Sequence, residues 1–450
     1  MAAESRARWM TPETRLVALI AVVVAILAFF FSPGGIQNSD GRTVFLLTES
    51  IVERGELNVD DEQLGTPGVG GRYFSRFGLG LSLLSVVPYL IALPVADTFG
   101  TDSKFLLQAS AGFLMPLIAG ALTAALYALG RRLGAKPRAS ALVSLGIIGG
   151  TFMLPYVRDF STEAISALCV VVAVERSLAK SPVMSGVSLG AAALVRPQSI
   201  LLFPLFLLSE WKADGFRSAL RQSVPLLISV GINIWYNFVR FADIGNFGYP
   251  DAGFTTPLLR GTVGLLFHPS TSLLLFAPVV LLLPFGLLAL GWKSKSFWLL
   301  SGTLLITFVM AATWTWWSGG WGWGPRLLLP GLIPALVSLA PWADHGWRRR
   351  RTPLIALFVV GFVVSAPTLI ASTRAQQVFD GGGVVVQPEI GMRNPIPWEQ
   401  HRLVPAVVSF TRTHLYERLD DHSLRYIDTW QFVVARVLGR GGFLASLVVS

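Results

Sequence analysis

Charged side chains are scarce in this chain, making up 14% of its 450 residues, whereas about 25% is usual for soluble globular domains. Hydrophobic residues make up 53% of the sequence, and the mean hydropathy is +0.59. This balance excludes a soluble enzyme and indicates a polytopic membrane protein. The only cysteine, Cys169, lies inside an apolar run. It therefore excludes an internal disulfide or a cysteine-built metal site, and its position is typical of a small core residue.

Nucleotide-binding and metalloprotease motifs are also missing. No glycine-rich patch is followed by Gly-Lys-Ser/Thr, and no His-Glu-Xaa-Xaa-His occurs. We therefore expect no nucleotide or redox cofactor. The formal net charge of +10 comes from short basic clusters between apolar runs, not from one continuous basic face. Such clusters are typical of membrane topology and do not indicate a nucleic-acid partner.

Long apolar runs separated by short polar loops cover most of the chain, and the loops predict which face each run reaches. Basic residues concentrate in cytoplasmic loops of membrane proteins. With every basic cluster on the cytoplasmic side, the first run enters from the cytoplasm behind Arg6, Arg8 and Arg15. The eleven predicted spans are 16–32, 103–130, 139–156, 163–179, 183–195, 198–210, 223–241, 271–291, 297–316, 327–342 and 353–372.

Three apolar stretches depart from simple spans. If residues 79–95 crossed the membrane, the basic cluster from Arg131 to Arg138 would face outward, so we expect this stretch to be interfacial or re-entrant. The runs 183–195 and 198–210 are too short to span fully. Arg196-Pro197 between them predicts a broken helical hairpin lining a cavity.

Ionisable residues on the predicted outer face stand close to the ends of apolar segments. Such groups are costly at membrane depth, so several of them on one side indicate a functional site. Arginine binds phosphate oxygens through paired hydrogen bonds, and a carboxylate can accept the proton of an attacking hydroxyl. The residues are Asp40, Arg76, Arg158, Asp159, Glu163, Arg196, Arg240, Asp243, His268 and Arg326.

Seven short motifs in order resemble those of the GT-C integral-membrane glycosyltransferases. The likeness is to the glycosyltransferase family 39-like branch, which is similar to protein O-mannosyltransferases and aminoarabinose transferases, and it extends over about residues 15 to 345. The motifs are Ser39-Asp40-Gly41, residues 71–80, residues 156–163, residues 195–198, residues 236–241, residues 264–269 and the tryptophan-rich residues 316–326.

The resemblance implies an all-α polytopic GT-C fold with about 11 transmembrane helices. Residues 1–372 would form the transmembrane catalytic domain, with interfacial helices in the first outer loop at 33–102, and 373–450 a small outer-face subdomain. The implied donor is a polyprenyl-phosphate-linked sugar, and the acceptor a glycan, lipid or protein. Asp40 would be the catalytic base, although Asp is also a common helix N-cap before a segment such as 41–50. The implied donor-phosphate ligands are Arg196, Arg76 and Arg240, with Arg326 as a further contact.

The remaining candidates each have two interpretations. Asp159 and Glu163 are four residues apart and would share one helical face, where one contacts the sugar or a divalent cation and the other complements the helix N-terminus. Proteins of the resembled family vary in metal use, and the acidic signature that some of them carry at this point is absent after Asp40, where Gly41 and Arg42 follow; this departure weakens the case for a metal. The tryptophan-rich segment is either an interfacial aromatic belt or a substrate-packing loop. The predicted cavity wall is Tyr73, His268, Trp316, Trp317, Trp321 and Trp323. For His268 a structural role is the alternative.

Together these features predict a plasma-membrane glycosyltransferase whose active site lies on the extracytoplasmic side among membrane lipids. The predicted reaction is an inverting transfer to an acceptor hydroxyl. A lipid-linked glycan polymerase or ligase would share the donor but would carry a larger late outer loop. A transporter would show symmetric halves and acids at the bilayer midplane.

Overall fold

The computed structural model describes residues 11–33, 35–36, 38–99, 103–250, 252–268, 271–320 and 322–369. The predicted subdomain at 373–450 lies outside these residues. The described chain is mostly helical, as expected. The helices are α1 Pro12–Phe30, α2 Ser39–Arg54, α3 Leu79–Phe99, α4 Ser103–Gly112, α5 Leu114–Arg132, α6 Pro137–Gly149, α7 Leu154–Arg158, α8 Thr162–Leu178, α9 Pro182–Val195, α10 Phe203–Asp214, α11 Phe216–Phe241, α12 Leu258–Phe267, α13 Leu273–Phe276, α14 Leu283–Ala289, α15 Lys295–Thr313, α16 Leu329–Leu336, α17 Leu339–Asp344 and α18 Trp347–Ser365.

Six of the described helical segments are long and apolar enough to cross a membrane, which makes the chain a multi-pass membrane protein. They include α1, α11, α15 and the continuous segment Ser103–Arg132 formed by α4 and α5. Most other predicted spans correspond to shorter apolar helices, several of them joined in pairs through 3-10 turns. The number of eleven spans therefore stays a prediction.

Ion pairs and hydrogen bonds mark the two ends of the helical bundle. At one end, Glu13 at the start of α1 accepts from Arg131 Nε at 2.5 Å. We call this end, which also holds the Arg132–Glu175 pair, the basic face. At the other end, the Arg158 Nε donates to the Phe31 carbonyl oxygen at 2.5 Å. We call this end the site face. Arg131 therefore lies at the same end as the start of α1, as predicted.

Helix α3 contains the stretch predicted to be interfacial or re-entrant. It is one continuous helix of 21 residues, long and apolar enough to cross a membrane, so the re-entrant or interfacial placement stays a prediction. Its start lies on the site face. Gly78 at its start packs against the Leu194 carbonyl, and the segment after it reaches the site face at Gln108, which accepts from the Ile36 N–H. Because α5 then runs from the site face to the basic face, these contacts favour the interfacial alternative for α3.

Helix α2 lies alongside α3 and begins at the site face. Asn38 caps it, because its side chain accepts from the Gly41 N–H and donates to the Phe160 carbonyl oxygen. The capping alternative for Asp40 is therefore wrong, and Asp40 lies in the first turn instead. After α2, a small antiparallel sheet in the order β1–β3–β2 leads back to α3. Its strands are β1 Asn58–Val59, β2 Thr66–Pro67 and β3 Tyr73–Phe74, with Asn58 and Thr66 both opposite Phe74.

The broken hairpin predicted around Arg196 is confirmed. Helix α9 ends at Val195, Arg196 has extended backbone, and the 3-10 turn Pro197–Leu202 leads into α10. The break exists because proline cannot continue the preceding helix and disfavours helical geometry at the residue before it. The neighbouring helix α8 is central in the bundle and almost fully buried. Its first turn, at Thr162 and Glu163, therefore meets the break at the site face.

Candidate functional site

Asp40 is held at the site face by the packing of the α2 N-terminus. A Cβ added at Gly41 would lie 2.6 Å from the Phe160 carbonyl oxygen, so only glycine permits this close approach. The carboxylate of Asp40 is 22% exposed and faces Arg326. It is one of five charged side chains that meet here, and we call them the site cluster: Asp40, Arg76, Glu163, Arg196 and Arg326.

Arg326 connects the two carboxylates of the site cluster. Its Nη1 donates to Asp40 Oδ2 at 2.7 Å and to Glu163 Oε1 at 3.2 Å. Its Nε donates to the Gly319 carbonyl oxygen at 2.6 Å. The side chain passes so close to Gly322 that a Cβ there would lie 2.4 Å from Arg326 Cδ. The glycines of the tryptophan-rich segment therefore make room for this arginine.

Glu163 and Arg196 form the buried side of the site cluster. Arg196 Nη2 donates to Glu163 Oε1 at 2.5 Å, and the two side chains are 5% and 2% exposed. Arg196 Nε donates to Thr162 Oγ1 at 2.9 Å. The helix break thus delivers a guanidinium group directly to the first turn of α8. Thr162 was not recognised from the sequence, although its position at the start of a predicted span was visible.

Arg76 completes the site cluster, beside Tyr249. Its Cζ lies 5.9 Å from the centre of the Tyr249 ring. Burial raises the pKa of Asp40, but the charges of Arg326, Arg76 and Arg196 outweigh burial and hold the pKa below its ordinary value. Burial, and next the Asp40 carboxylate, raise the pKa of Tyr249. Three guanidinium groups therefore face two carboxylates, which leaves an excess positive charge that suits an anion.

Tyr249 was missed by the sequence reasoning. It follows Gly248 in the loop between α11 and α12, and its ring contacts Trp314 and Trp316 at centroid distances of 5.7 and 5.8 Å. The only sequence signal was a tyrosine after a glycine in a predicted outer loop. The order of residues along the chain does not reveal that this loop lies over Arg76.

Arg240 and Asp159 lie apart from the site cluster and have their own partners. Arg240 donates to the Ser75 carbonyl oxygen, to Asn237 Oδ1 and to the Tyr236 carbonyl oxygen. Asp159 accepts from Arg158 Nη1 at 3.3 Å. Since Asp159 precedes α8, the expectation that it shares a helical face with Glu163 is wrong.

The aromatic residues of the predicted cavity wall differ in burial. Trp317 is 2% exposed and packs edge-on against His268, and Trp323 packs against Phe276. The Trp323 carbonyl oxygen accepts from the Tyr156 hydroxyl at 2.9 Å. Trp316 is 38% exposed. The segment is therefore anchored in the protein on one side, which a simple interfacial belt does not require.

Two members of the predicted wall remain. Trp321 lies outside the described residues. Tyr73 lies in β3 and packs with Leu47 and Val59, in a small cluster of its own beside the site cluster. Among the residues that the structure describes, no three His, Cys, Asp or Glu side chains come together as a group that could hold a metal ion.

No protein-family model matches the chain, and no curated protein matches it either. Solved structures do. ArnT from Cupriavidus metallidurans bound to undecaprenyl phosphate aligns over 97% of this chain and 74% of its own, with 16% identity and a TM-score of 0.52. The archaeal oligosaccharyltransferase AglB from Archaeoglobus fulgidus, in complex with an inhibitory peptide and a dolichol-phosphate, aligns over 87% of this chain and 63% of its own, with 13% identity and a TM-score of 0.53. At these identities the likeness to both structures is one of fold. The chain therefore has the fold of the GT-C membrane glycosyltransferases.

Proposed function

We propose that this protein is a glycosyltransferase that moves a sugar from a polyprenyl-phosphate donor to an acceptor hydroxyl at the outer face of the plasma membrane. The observation that carries the proposal is the contact between Asp40 and Arg326 inside a group of three guanidinium groups. The site cluster thus offers a carboxylate base next to an anion site. The fold supports the proposal, because ArnT binds undecaprenyl phosphate and AglB a dolichol-phosphate.

The donor phosphate would lie between Arg326, Arg196 and Arg76. Guanidinium groups bind phosphate through short charge-assisted hydrogen bonds. While no anion is bound, Arg326 pairs with the Asp40 carboxylate and Arg196 with the Glu163 carboxylate, and these ion pairs keep the two arginines in place. The buried position of Arg196 makes its field strong, since water does not screen it fully.

The transfer would be a single displacement. Asp40 removes the proton of the acceptor hydroxyl, the acceptor oxygen bonds to the anomeric carbon, and the bond from that carbon to the phosphate oxygen breaks. The electron pair leaves with the polyprenyl phosphate, whose growing negative charge the arginines stabilise. Attack opposite the leaving group inverts the anomeric centre. Because the bound phosphate also offsets the positive field at Asp40, donor binding strengthens this base.

The proposal needs no metal for charge stabilisation, because the arginines supply it. Asp40 and Glu163 both have guanidinium partners. We therefore expect turnover to survive a chelator and to be independent of added Mg²⁺ or Mn²⁺. Activity that disappears with chelator and returns with either cation would assign a cation to the site.

The test is turnover of a panel of polyprenyl-phosphate-linked pentoses and hexoses by purified protein, with polyprenyl phosphate release measured by mass spectrometry. Asp40→Asn should lower turnover by about 10²- to 10⁴-fold, while undecaprenyl phosphate binding is retained. Glu53→Gln, a change further along α2 and away from the site cluster, is the control and should keep full activity. An Asp40→Asn protein with normal turnover removes Asp40 from the role of base.

The outer location is supported by the basic loops at the opposite end of the bundle, which the positive-inside rule assigns to the cytoplasm. In a Cys169→Ser background, a cysteine introduced at Val69, which is exposed beside the site face, should react with a membrane-impermeant thiol reagent in intact cells. Protection in intact cells together with reaction after permeabilisation would reverse the orientation.

A further inference from the structure

Arg76 differs from the other arginines of the site cluster in its hydrogen bonding. Its Nε is buried and has no hydrogen-bond partner, whereas Arg196 and Arg326 donate to carboxylates. A buried donor without a partner costs free energy, so something must hold the side chain there or a ligand must satisfy it. The proposed donor phosphate is the anion that fits.

Arg240 holds the residue immediately before Arg76. Arg240 is buried, with 1% of the residue exposed, and its Nη1 donates to the Ser75 carbonyl oxygen. That oxygen belongs to the peptide group between Ser75 and Arg76. The other two nitrogens are fixed within α11, where Nη2 donates to Asn237 Oδ1 at 2.6 Å and Nε to the Tyr236 carbonyl oxygen at 3.3 Å.

Backbone packing confines the same segment from two further sides. A Cβ added at Gly68 would lie 2.2 Å from the Arg240 carbonyl oxygen, so the turn before β3 packs directly on the end of α11. Gly248 has a positive φ of 81°, and a Cβ there would lie 3.1 Å from Arg76 Cα. Arg76 is thus enclosed between the end of α11 and the Tyr249 loop.

We propose that Arg240 is a positioning residue, which fixes the Ser75–Arg76 peptide so that the Arg76 guanidinium points at the donor phosphate without Arg240 touching the donor. The inference rests on the proposed function and replaces the direct phosphate contact expected for Arg240. Arginine is required because its three nitrogens each reach a different acceptor, whereas the three donors of lysine lie on one nitrogen and cannot reach acceptors that far apart.

The first test is a double-mutant cycle on donor binding. Arg240→Met and Arg76→Gln should each weaken undecaprenyl phosphate binding and raise the donor KM by about ten- to a hundredfold, with a smaller change in kcat. Because Arg240 acts through Arg76, the double variant should be no weaker than Arg76→Gln alone. Arg240→Lys should recover only part of the loss. If the losses of donor affinity in the two single variants instead multiply in the double variant, Arg240 contacts the donor directly and the inference is overturned.

The second test does not depend on activity. In Arg240→Met, amide hydrogen exchange in residues 72–78 should speed up, while exchange in α8 stays at the wild-type rate. Arg350→Met is the matched control, since Arg350 is a partly buried arginine on α18 whose Nη1 likewise donates to a carbonyl oxygen, that of Trp342, and it should change neither KM nor this exchange. Unchanged exchange in Arg240→Met would refute positioning. Absence of donor turnover by wild-type protein, with the exchange effect present, would instead refute the proposed function.

Discussion

Replacing Glu163 by glutamine should destabilise the free protein and leave it unusually responsive to a phosphate-bearing lipid. The carboxylate is 2% exposed and accepts from Arg196 at 2.5 Å and from Arg326 at 3.2 Å. Removing one partner of a buried ion pair costs about 3–5 kcal/mol, because the remaining charge stays uncompensated. Arg326 keeps Asp40 and the Gly319 carbonyl, so the loss falls mainly on Arg196. The glutamine oxygen can still accept one hydrogen bond, so we expect about 3 kcal/mol.

A matched control lies at the other end of the same helix. Glu175 also pairs with two arginines, Arg132 at 3.2 Å and Arg176 at 2.5 Å, but these are 46% and 42% exposed. Water solvates their charges once the carboxylate is gone. Glu175→Gln should therefore cost less than about 1 kcal/mol.

The assay is the free energy of unfolding from denaturant titration in detergent, with undecaprenyl phosphate or undecaprenol added. The phosphate supplies the negative charge that Glu163→Gln lacks, so it should stabilise this variant more than the wild type or Glu175→Gln, and undecaprenol should not. Equal losses in the two variants, or equal stabilisation of all three proteins by the phosphate lipid, would refute the assignment of the site cluster as an anion site.

Three further outcomes follow from the site. The pKa of Asp40 lies below its ordinary value of 3.8, so the Asp40 carboxylate stabilises the fold fully above pH 3.8, and this stabilisation is lost as the pH falls through the folded pKa. The difference in stability between wild type and Asp40→Asn should therefore shrink on acidification. A difference that grows on acidification would contradict this. Gly41→Ala should cost about 1–3 kcal/mol of stability from overpacking against Phe160. Gly231→Ala should be neutral or stabilising in the same titration, because an added Cβ there would meet no other part of the protein within 4 Å. Gly322→Ala should displace Arg326 and weaken undecaprenyl phosphate binding, and unchanged binding would show that Arg326 has room to adjust.

The sequence predicted several parts of the site because their signals are local. Proline after Arg196 breaks a helix wherever it occurs, so the hairpin at this residue was visible in the order of residues alone. Arg131 was placed with the N-terminus by its basic neighbours, and its contact with Glu13 agrees. The motif resemblance led to the GT-C fold, although identity to the matching structures is only 16% and 13%.

Sequence order does not show which charged residues are partners when they come from different segments. Arg240 and Arg326 look equivalent in sequence, since each follows aromatic residues near the end of an apolar run. Only the fold shows that Arg326 donates a hydrogen bond to Asp40, 286 positions away in sequence, whereas Arg240 donates to the Ser75 carbonyl oxygen. Asp159 and Glu163 likewise separate because a helix boundary falls between them.

Composition and the spacing of apolar runs determined that this protein resides in a membrane, that it is helical, and on which face its charged residues gather. Each of these depends on free energies of transfer of short segments and on helix length. The tertiary structure alone decided which of those charges are partners. Ion pairing needs contact within a few ångströms, and that distance is set by the packing of α2, α8 and the Arg326 segment, not by position along the chain.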